Sequence, residues 1–489
     1  MRTKTILTWL GSATLALSFT VPAIAKQPTS SQSKPNVLFL MVDDMRVNYG
    51  PYAEQAPKTP NIDKLATNGV AFNRAYSNIP VCGASRASLL TGIRGTKDRF
   101  LAFNTADKDT PQAVSLAQHF KDNGYTTVSL GKVFNNQFDK KAGWSKAPWR
   151  PSDKLKLKGK KNARANLKIR HDYQTQSAND IFDKTDKNSL AYESADVSDF
   201  TYLNGQIAEQ AIKELQQFKE AKQPFFLAVG LKKPHLPFNS PQKYWDMYKP
   251  EDLPVAKTNS LPETAPQQAK HTWGELRNYY DIPTEGPIPA DKAQNLVHGY
   301  YAATSYSDAL IGLVLAELDA LELDENTIVV VWGDHGWSLG EHGLWAKHSS
   351  FNVANQIPLI IKAPTMPTGT SVEGVVESVD IYPTLVELSN IPTMNNIDGT
   401  SLVPQLKDPK AKGKDAVFTR WKTADTIRTV RFHYTEWRNK QGKVTARMLY
   451  DHQVDPQELV NIAEQEKYKN VVANLKKQLQ QQIDLANKS

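Results

Sequence analysis

Four short apolar runs, each followed at once by residues able to chelate a cation or grip an anion, constrain this chain most. They are residues 36–42 (NVLFLMV), 126–130 (TTVSL), 225–229 (FFLAV) and 327–331 (TIVVV). Each is too short for a buried helix and most are bounded by Pro or Gly, so each reads as a buried strand. Helical signals lie between them. In 59–66 (TPNIDKLA) a capping Thr59 precedes Pro60 at the first helical position. Residues 205–219 and 300–321 place apolar side chains at helical spacing. The alternation predicts an α/β domain on a large, mostly parallel sheet sandwiched by helices. From about residue 411 the character changes. Alternating runs at 416–420, 427–437 and 444–450 precede a polar helix at 464–486, which predicts a smaller α+β subdomain carrying an antiparallel sheet. The expected domains are therefore 26–410 and 411–489.

Residues 1–25 form a separate piece. Arg2 and Lys4 precede an apolar stretch from 6 to 25 that ends in Ala23-Ile24-Ala25 before Lys26. That pattern predicts a secretory signal peptide cut after Ala25, with an uncleaved anchor as the alternative. No cysteine follows to take a lipid, so no stable membrane anchor is expected and the protein is read as exported, periplasmic or secreted. With 40% apolar and 22% charged residues, the chain is neither disordered nor a coiled coil. Its formal charge of +8 falls to +6 once Arg2 and Lys4 are removed. On an exported chain this favours an acidic ligand such as anionic polysaccharide, and no nucleic-acid motif is present. Residues 154–170 carry eight basic side chains (Lys154, Lys156, Lys158, Lys160, Lys161, Arg164, Lys168, Arg170) and no acid. They read as a solvated loop, or as a basic lip that gathers a polyanion.

The ends of the four runs carry the chemistry. Asp43 and Asp44 follow the first, Gly131 and Lys132 the second, Lys233, Pro234 and His235 the third, and Asp334 and His335 the fourth. Ligands of open α/β sheets bind outside the carboxyl ends of the strands. Three carboxylates gathered there need a cation, and hard oxygen donors point to Ca2+ or Mg2+. His335 is the less usual ligand for such an ion. The single cysteine, Cys82, begins a helix-like segment after Pro80, with Arg86 one turn on. A helix N-terminus favours negative charge, so Cys82 is either a nucleophile or a packing residue.

The segment Cys82-Gly83-Ala84-Ser85-Arg86, followed by Leu90-Thr91-Gly92, resembles the signature of the formylglycine-dependent (type I) sulfatases. The resemblance extends, in the family's order, through Asp43-Asp44, 59–66, Gly131-Lys132-Val133-Phe134, Lys233-Pro234-His235, Gly333-Asp334-His335-Gly336 and Lys347. Val133-Phe134, the Lys-Pro-His and the Asp-His are most similar to the iduronate-2-sulfatase-like branch, as are Ile427-Arg428-Thr429 and Tyr450-Asp451 with Asp455-Pro456. Two positions depart. Ala84 stands where the family has proline, and Asn135 stands where that branch has a histidine near the sulfate.

The resemblance implies an alkaline-phosphatase-like fold and a sulfatase acting on a sulfated carbohydrate. Algal galactan, ulvan-type polymers and glycosaminoglycans all fit. It implies that Cys82 is oxidised to formylglycine by a formylglycine-generating or radical sulfatase-maturating enzyme. Asp43, Asp44, Asp334 and His335, with the modified Cys82, would bind Ca2+, and Mg2+ fits less well. Arg86 would hold the aldehyde hydrate. Lys132, His235 and Lys347 would surround the sulfate with Asn135 nearby, and His235 or Lys347 would protonate the leaving alcohol. Alternatives are a phosphonate or phosphate monoester hydrolase of the same superfamily, or a non-catalytic secreted polysaccharide-binding protein. His342 and His348 are left outside the catalytic set, and Trp144, Trp149 and Trp337 are read as core residues before sugar platforms.

Overall fold

The protein is described by a computed structural model covering residues 1, 3, 34–47, 56–256, 260–272 and 274–488. Most of the expected signal peptide lies outside the described residues. Residues 34–489 form one compact unit, and no described helix is long and apolar enough to cross a membrane.

An eight-stranded sheet organises that unit. Its strands are β1 (Asn36–Val42), β2 (Val70–Tyr76), β3 (Thr126–Gly131), β4 (Phe225–Leu231), β5 (Thr327–Gly333), β6 (Gln356–Ile357), β7 (Leu359–Lys362) and β8 (Thr370–Glu377). The order across the sheet is β6-β2-β7-β5-β1-β4-β3, with β8 also paired to β2. The four runs found in the sequence are contiguous and parallel, β1 lying between β5 and β4 and β3 pairing with β4. Only β6 and β7 run antiparallel to their neighbours. The mostly parallel α/β fold is therefore as expected.

The continuous apolar runs follow from burial on both faces. Val37, Phe39 and Met41 of β1 point into one core with Ala84, Ala87 and Leu90 of α2 (Cys82–Thr91). Leu38, Leu40 and Val42 point into the other, against Ile207 and Leu215 of α3 (Leu203–Ala221) and Leu310 and Val314 of α4 (Ala290–Ala320). Helix α1 (Pro60–Thr67) starts with proline as expected, but Thr59 makes no capping bond and its hydroxyl lies 3.4 Å from the Asp63 carboxylate.

The C-terminal sheet is antiparallel, in the order β9 (Val417–Trp421), β10 (Ala424–Arg428), β11 (Phe432–Arg438) and β12 (Val444–Asp451). The expected run at 427–437 is two strands broken by a turn in which Thr429 N donates to Phe432 O. Helix α5 (Lys469–Ala486) covers this sheet, with Val472, Leu475 and Leu479 against Phe418, Ile427, Tyr434 and Leu449.

Candidate active site

The strand ends are stitched so that their side chains meet. Asp44 N donates to the Asp334 carboxylate (2.9 Å) and Asp334 N to Val42 O (3.3 Å), locking the ends of β1 and β5 together. Asp44 sits in the left-handed region (φ 61°), a conformation aspartate tolerates better than most residues. The Tyr300 hydroxyl of α4 holds the Asp44 carbonyl (2.8 Å). Beyond β3 the chain turns at Gly131 (φ 71°), where a Cβ would stand 2.2 Å from Gly230 O. Only glycine fits, and the turn delivers Lys132 to the crevice.

Cys82 is buried at the first position of α2. Its Sγ lies 3.7 Å from Asp44 Oδ1 and 3.4 Å from His335 Nε2. One turn on, Arg86 is fully buried and joins the acids. Its Nε donates to Asp334 (3.0 Å), its Nη2 to Asp43 (3.1 Å), and its Nη1 to the carbonyls of Lys132 and Val133. Lys132 Nζ lies 2.5 Å from Asp43, and Lys347 Nζ lies 2.9 Å from both Asp44 oxygens. All the chelating and cationic residues expected from the sequence thus share one crevice. Its open side is marked by Lys132, His235 and Glu275, whose side chains are 15%, 17% and 25% exposed while Arg86 and the three aspartates are at zero.

The two histidines differ in what their rings face. His235 has Nδ1 on Leu236 O (2.6 Å) and Nε2 on Glu275 (2.9 Å), with Asp44 at 3.9 Å. Both nitrogens face acceptors. His335 has Nδ1 on Gly336 O (2.9 Å), which leaves Nε2 toward Asp44 (3.3 Å), Asp334 (3.6 Å) and the Cys82 sulfur. An imidazole held through its other nitrogen and aimed at two carboxylates suits a divalent cation between them. The donor set therefore fits a metal.

Charge states follow the same map. Burial pushes the Asp43 carboxyl up, but Lys132 and Arg86 outweigh it and hold it well below the usual range. Burial also opposes charge on Lys347, yet Asp44 keeps its ammonium well above normal. Asp334 is pushed up by burial despite His335 and Arg86, as a carboxylate short of positive charge would be. The Cys82 thiol is pushed well up by burial and Asp43.

Glu275 is the residue that sequence reasoning missed. It lies on the short helix Gly274–Arg277 and bridges His235 and Lys347, the latter at 3.1 Å. No motif marks it, because the chain returns to the crevice there from a proline-rich excursion between β4 and α4. Asn135 is half-buried, and the contact that fixes it is its carbonyl accepting from Arg150 (3.2 Å). Lys233 turns inward to carbonyls of its own loop, including Pro237 O. Trp144 packs in the core and Trp149 against the opposite one, while Trp337 is buried beneath Lys347 with the ammonium 5.0 Å from its ring. His342 stacks on Phe351 and His348 on Trp421.

What such a crevice can do is narrow: it can hold the oxygens of a tetrahedral anion and present one side chain to the central atom. Together with the sheet, that defines a hydrolase of oxyanion esters. The sulfatase family model matches residues 35–391, and a family model described as N-sulphoglucosamine sulphohydrolase, C-terminal, matches residues 340–484. Iduronate 2-sulfatase of Mus musculus is 34% identical over 423 residues, covering 78% of this chain and 73% of that protein. An ulvan-active sulfatase of Formosa agariphila is 31% identical over 389 residues, 77% of this chain and 66% of the relative. A solved phosphonate monoester hydrolase from Silicibacter pomeroyi shares the fold, with a TM-score of 0.73 at 23% identity over 92% of this chain and 95% of that one. The chain belongs to the type I sulfatase family, close to its iduronate-2-sulfatase branch, and is a sulfuric ester hydrolase.

Proposed function

We propose that this chain is exported and hydrolyses sulfate esters of a sulfated polysaccharide or oligosaccharide, using a formylglycine made from Cys82 and a bound calcium ion. One observation carries the reading. Ligand atoms of Asp44, Cys82, Asp334 and His335 lie within 4.8 Å of one another, so the only cysteine stands inside the set suited to a cation. The carbohydrate is supported by the names of the two relatives, an iduronate 2-sulfatase and an ulvan-active sulfatase. Export is supported by the signal-peptide pattern of residues 1–25.

Asp43, Asp44, Asp334 and His335, with residue 82 in its oxidised form, would hold calcium, which when bound polarises the sulfate oxygens and lowers the pKa of a hydroxyl beside it. A set of four or five protein donors suits calcium, since magnesium tends to keep several waters. The Cys82 sulfur marks the place of an oxygen of the aldehyde hydrate. Arg86 uses four of its five N–H groups on Asp43, Asp334 and two carbonyls, and the remaining one would hold that hydrate. Lys132, His235 and Lys347 would receive the sulfate oxygens, with Asn135 in place of a further cationic contact. One hydrate hydroxyl gives up its proton to solvent as its oxygen attacks sulfur, the bond from sulfur to the sugar oxygen breaks, and His235 or Lys347 gives that oxygen a proton. The second hydroxyl then passes its proton to the group that protonated the sugar oxygen as its own oxygen becomes the carbonyl, and the carbon–oxygen bond to sulfate breaks to restore the aldehyde.

Mass spectrometry of the Cys82 peptide tests the nucleophile, after expression with a formylglycine-generating or radical sulfatase-maturating enzyme. An aldehyde is expected, and an intact thiol in fully active protein would sink the mechanism. Dialysis against a chelator should abolish turnover, with calcium restoring it better than magnesium. A panel of defined sulfated oligosaccharides then names the sugar. Turnover of phosphate or phosphonate monoesters with none of sulfate esters would replace this reading.

A further inference from the structure

The basic segment takes no part in the chemistry of the cluster, yet the fold builds it firmly at the crevice. It enters beside the carboxyl end of β3, where Trp149 bridges to Leu130 and Arg150 donates to Gly131 O (3.0 Å) and Phe134 O (2.7 Å). It leaves beside the carboxyl end of β4, where Lys232 Nζ holds Arg170 O (2.8 Å) three residues before His235. Both ends are thus pinned next to the strands that supply Lys132 and His235. Between them, Asn166 of the helix Ala163–His171 clasps Leu157, accepting from its N–H and donating to its carbonyl, each at 2.8 Å. A free linker needs no such anchors.

Six of the segment's eight charges divide into two groups. Arg164 is used up on the carbonyls of Phe182, Thr185, Asp186 and Lys187, and Lys168 pairs with Asp183 (2.6 Å). Lys154, Lys156, Lys158 and Lys161 are exposed and, among the described residues, no ion pair neutralises them. Leu155 and Leu157 alternate with the first three and are 58% and 48% exposed. Burial and, after it, Lys132 pull Lys232 down to about 8, and Arg170 acts in the same direction.

We propose that Lys154, Lys156, Lys158 and Lys161 form a ledge at the crevice mouth that binds the anionic chain of a sulfated polysaccharide beyond the ester being cleaved. This rests on the polysaccharide reading above. Exposed lysines facing a polyanion contribute modestly one by one, act together, and are screened by salt.

The test uses the full chain carrying Lys154→Gln, Lys156→Gln, Lys158→Gln and Lys161→Gln together, with dextran sulfate as the polyanion and 4-methylumbelliferyl sulfate as a small ester. Affinity for dextran sulfate at low salt should fall by about fivefold or more, and the difference should vanish at high salt. Turnover of the small ester should not change. Equal affinity of variant and wild type for dextran sulfate would overturn the ledge, as would matching losses of affinity and small-ester turnover, which would mean a misfolded crevice. Loss of binding to phosphatidylglycerol vesicles with dextran sulfate binding intact would also overturn it and make the surface a membrane contact. Because the binding comparison needs no turnover, it still decides the ledge if the wild type hydrolyses no sulfate ester and the proposed reaction fails.

Discussion

Arg86 and Glu275 show how single side chains fix this site. Arg86 is fully buried and its planar fork bonds Asp43 and Asp334 at once, one through Nη2 and the other through Nε. Arg86→Lys can satisfy only one of them. It should cost about 3 kcal/mol of stability, read as a lower melting temperature of the metal-free protein. Glu275 faces the two groups offered as proton donors, His235 and Lys347. Glu275→Gln keeps the shape and removes the charge, so kcat on a sulfate ester should fall by roughly 10- to 100-fold with KM little changed. Glu275→Asp should recover part of the loss. An unaltered kcat in Glu275→Gln would remove this residue from the machinery.

At the scale of elements, strand ends and their turns decide where chemistry sits. Gly131 closes β3 at φ 71°, and β4 passes so close that an added methyl would meet Gly230 O at 2.2 Å. Gly131→Ala should therefore push Lys132 out of register with Asp43. The expected result is a fall in kcat/KM of about 100-fold and a stability loss of about 1–3 kcal/mol. A variant with full activity would show that the turn yields more easily than this contact allows. The edge of the sheet obeys other rules. β2 and β8 carry Asn73, Arg74 and Glu373, which bond to one another across the pair, and β8 is bulged between Val372 and Val375. Polar side chains and a bulge belong at a half-exposed edge, and they hid these strands from a search for apolar runs.

At the scale of the whole molecule, a buried clamp joins the large sheet to the C-terminal subdomain. Glu377, the last residue of β8, meets Arg94 from the loop after α2 (3.0 Å), Lys414 ahead of β9 (2.5 Å) and Asn78 (2.5 Å). Burial pushes the Glu377 carboxyl up, but Arg94 and Lys414 prevail and hold it at about 2 against an ordinary 4.5. Neighbouring Asp380 is pushed up by burial, so it does not share this behaviour. With the folded value below the unfolded one, Glu377 stabilises fully above about pH 4.5, and its contribution drains away as pH falls toward 2. Glu377→Gln should lose about 3 kcal/mol at neutral pH and show a flatter decline of melting temperature with acid over that window. An acid limb as steep as that of the wild type would place the lability elsewhere.

The sequence by itself determined the four central strands, the residues at their ends, the helix that starts at Cys82 and the family those motifs belong to. Each of these is a local pattern: an apolar run too short for a helix, a polar residue at the end of a strand, a cysteine and an arginine one turn apart. Tertiary structure alone decided three things. It put Glu275 between His235 and Lys347, reached across a long excursion that no periodicity reports. It set the Cys82 sulfur in a buried site beside Asp43, and burial and that carboxylate push the thiol up. It pinned the basic segment to two strand ends through backbone carbonyls, and carbonyls look alike at every position of a sequence.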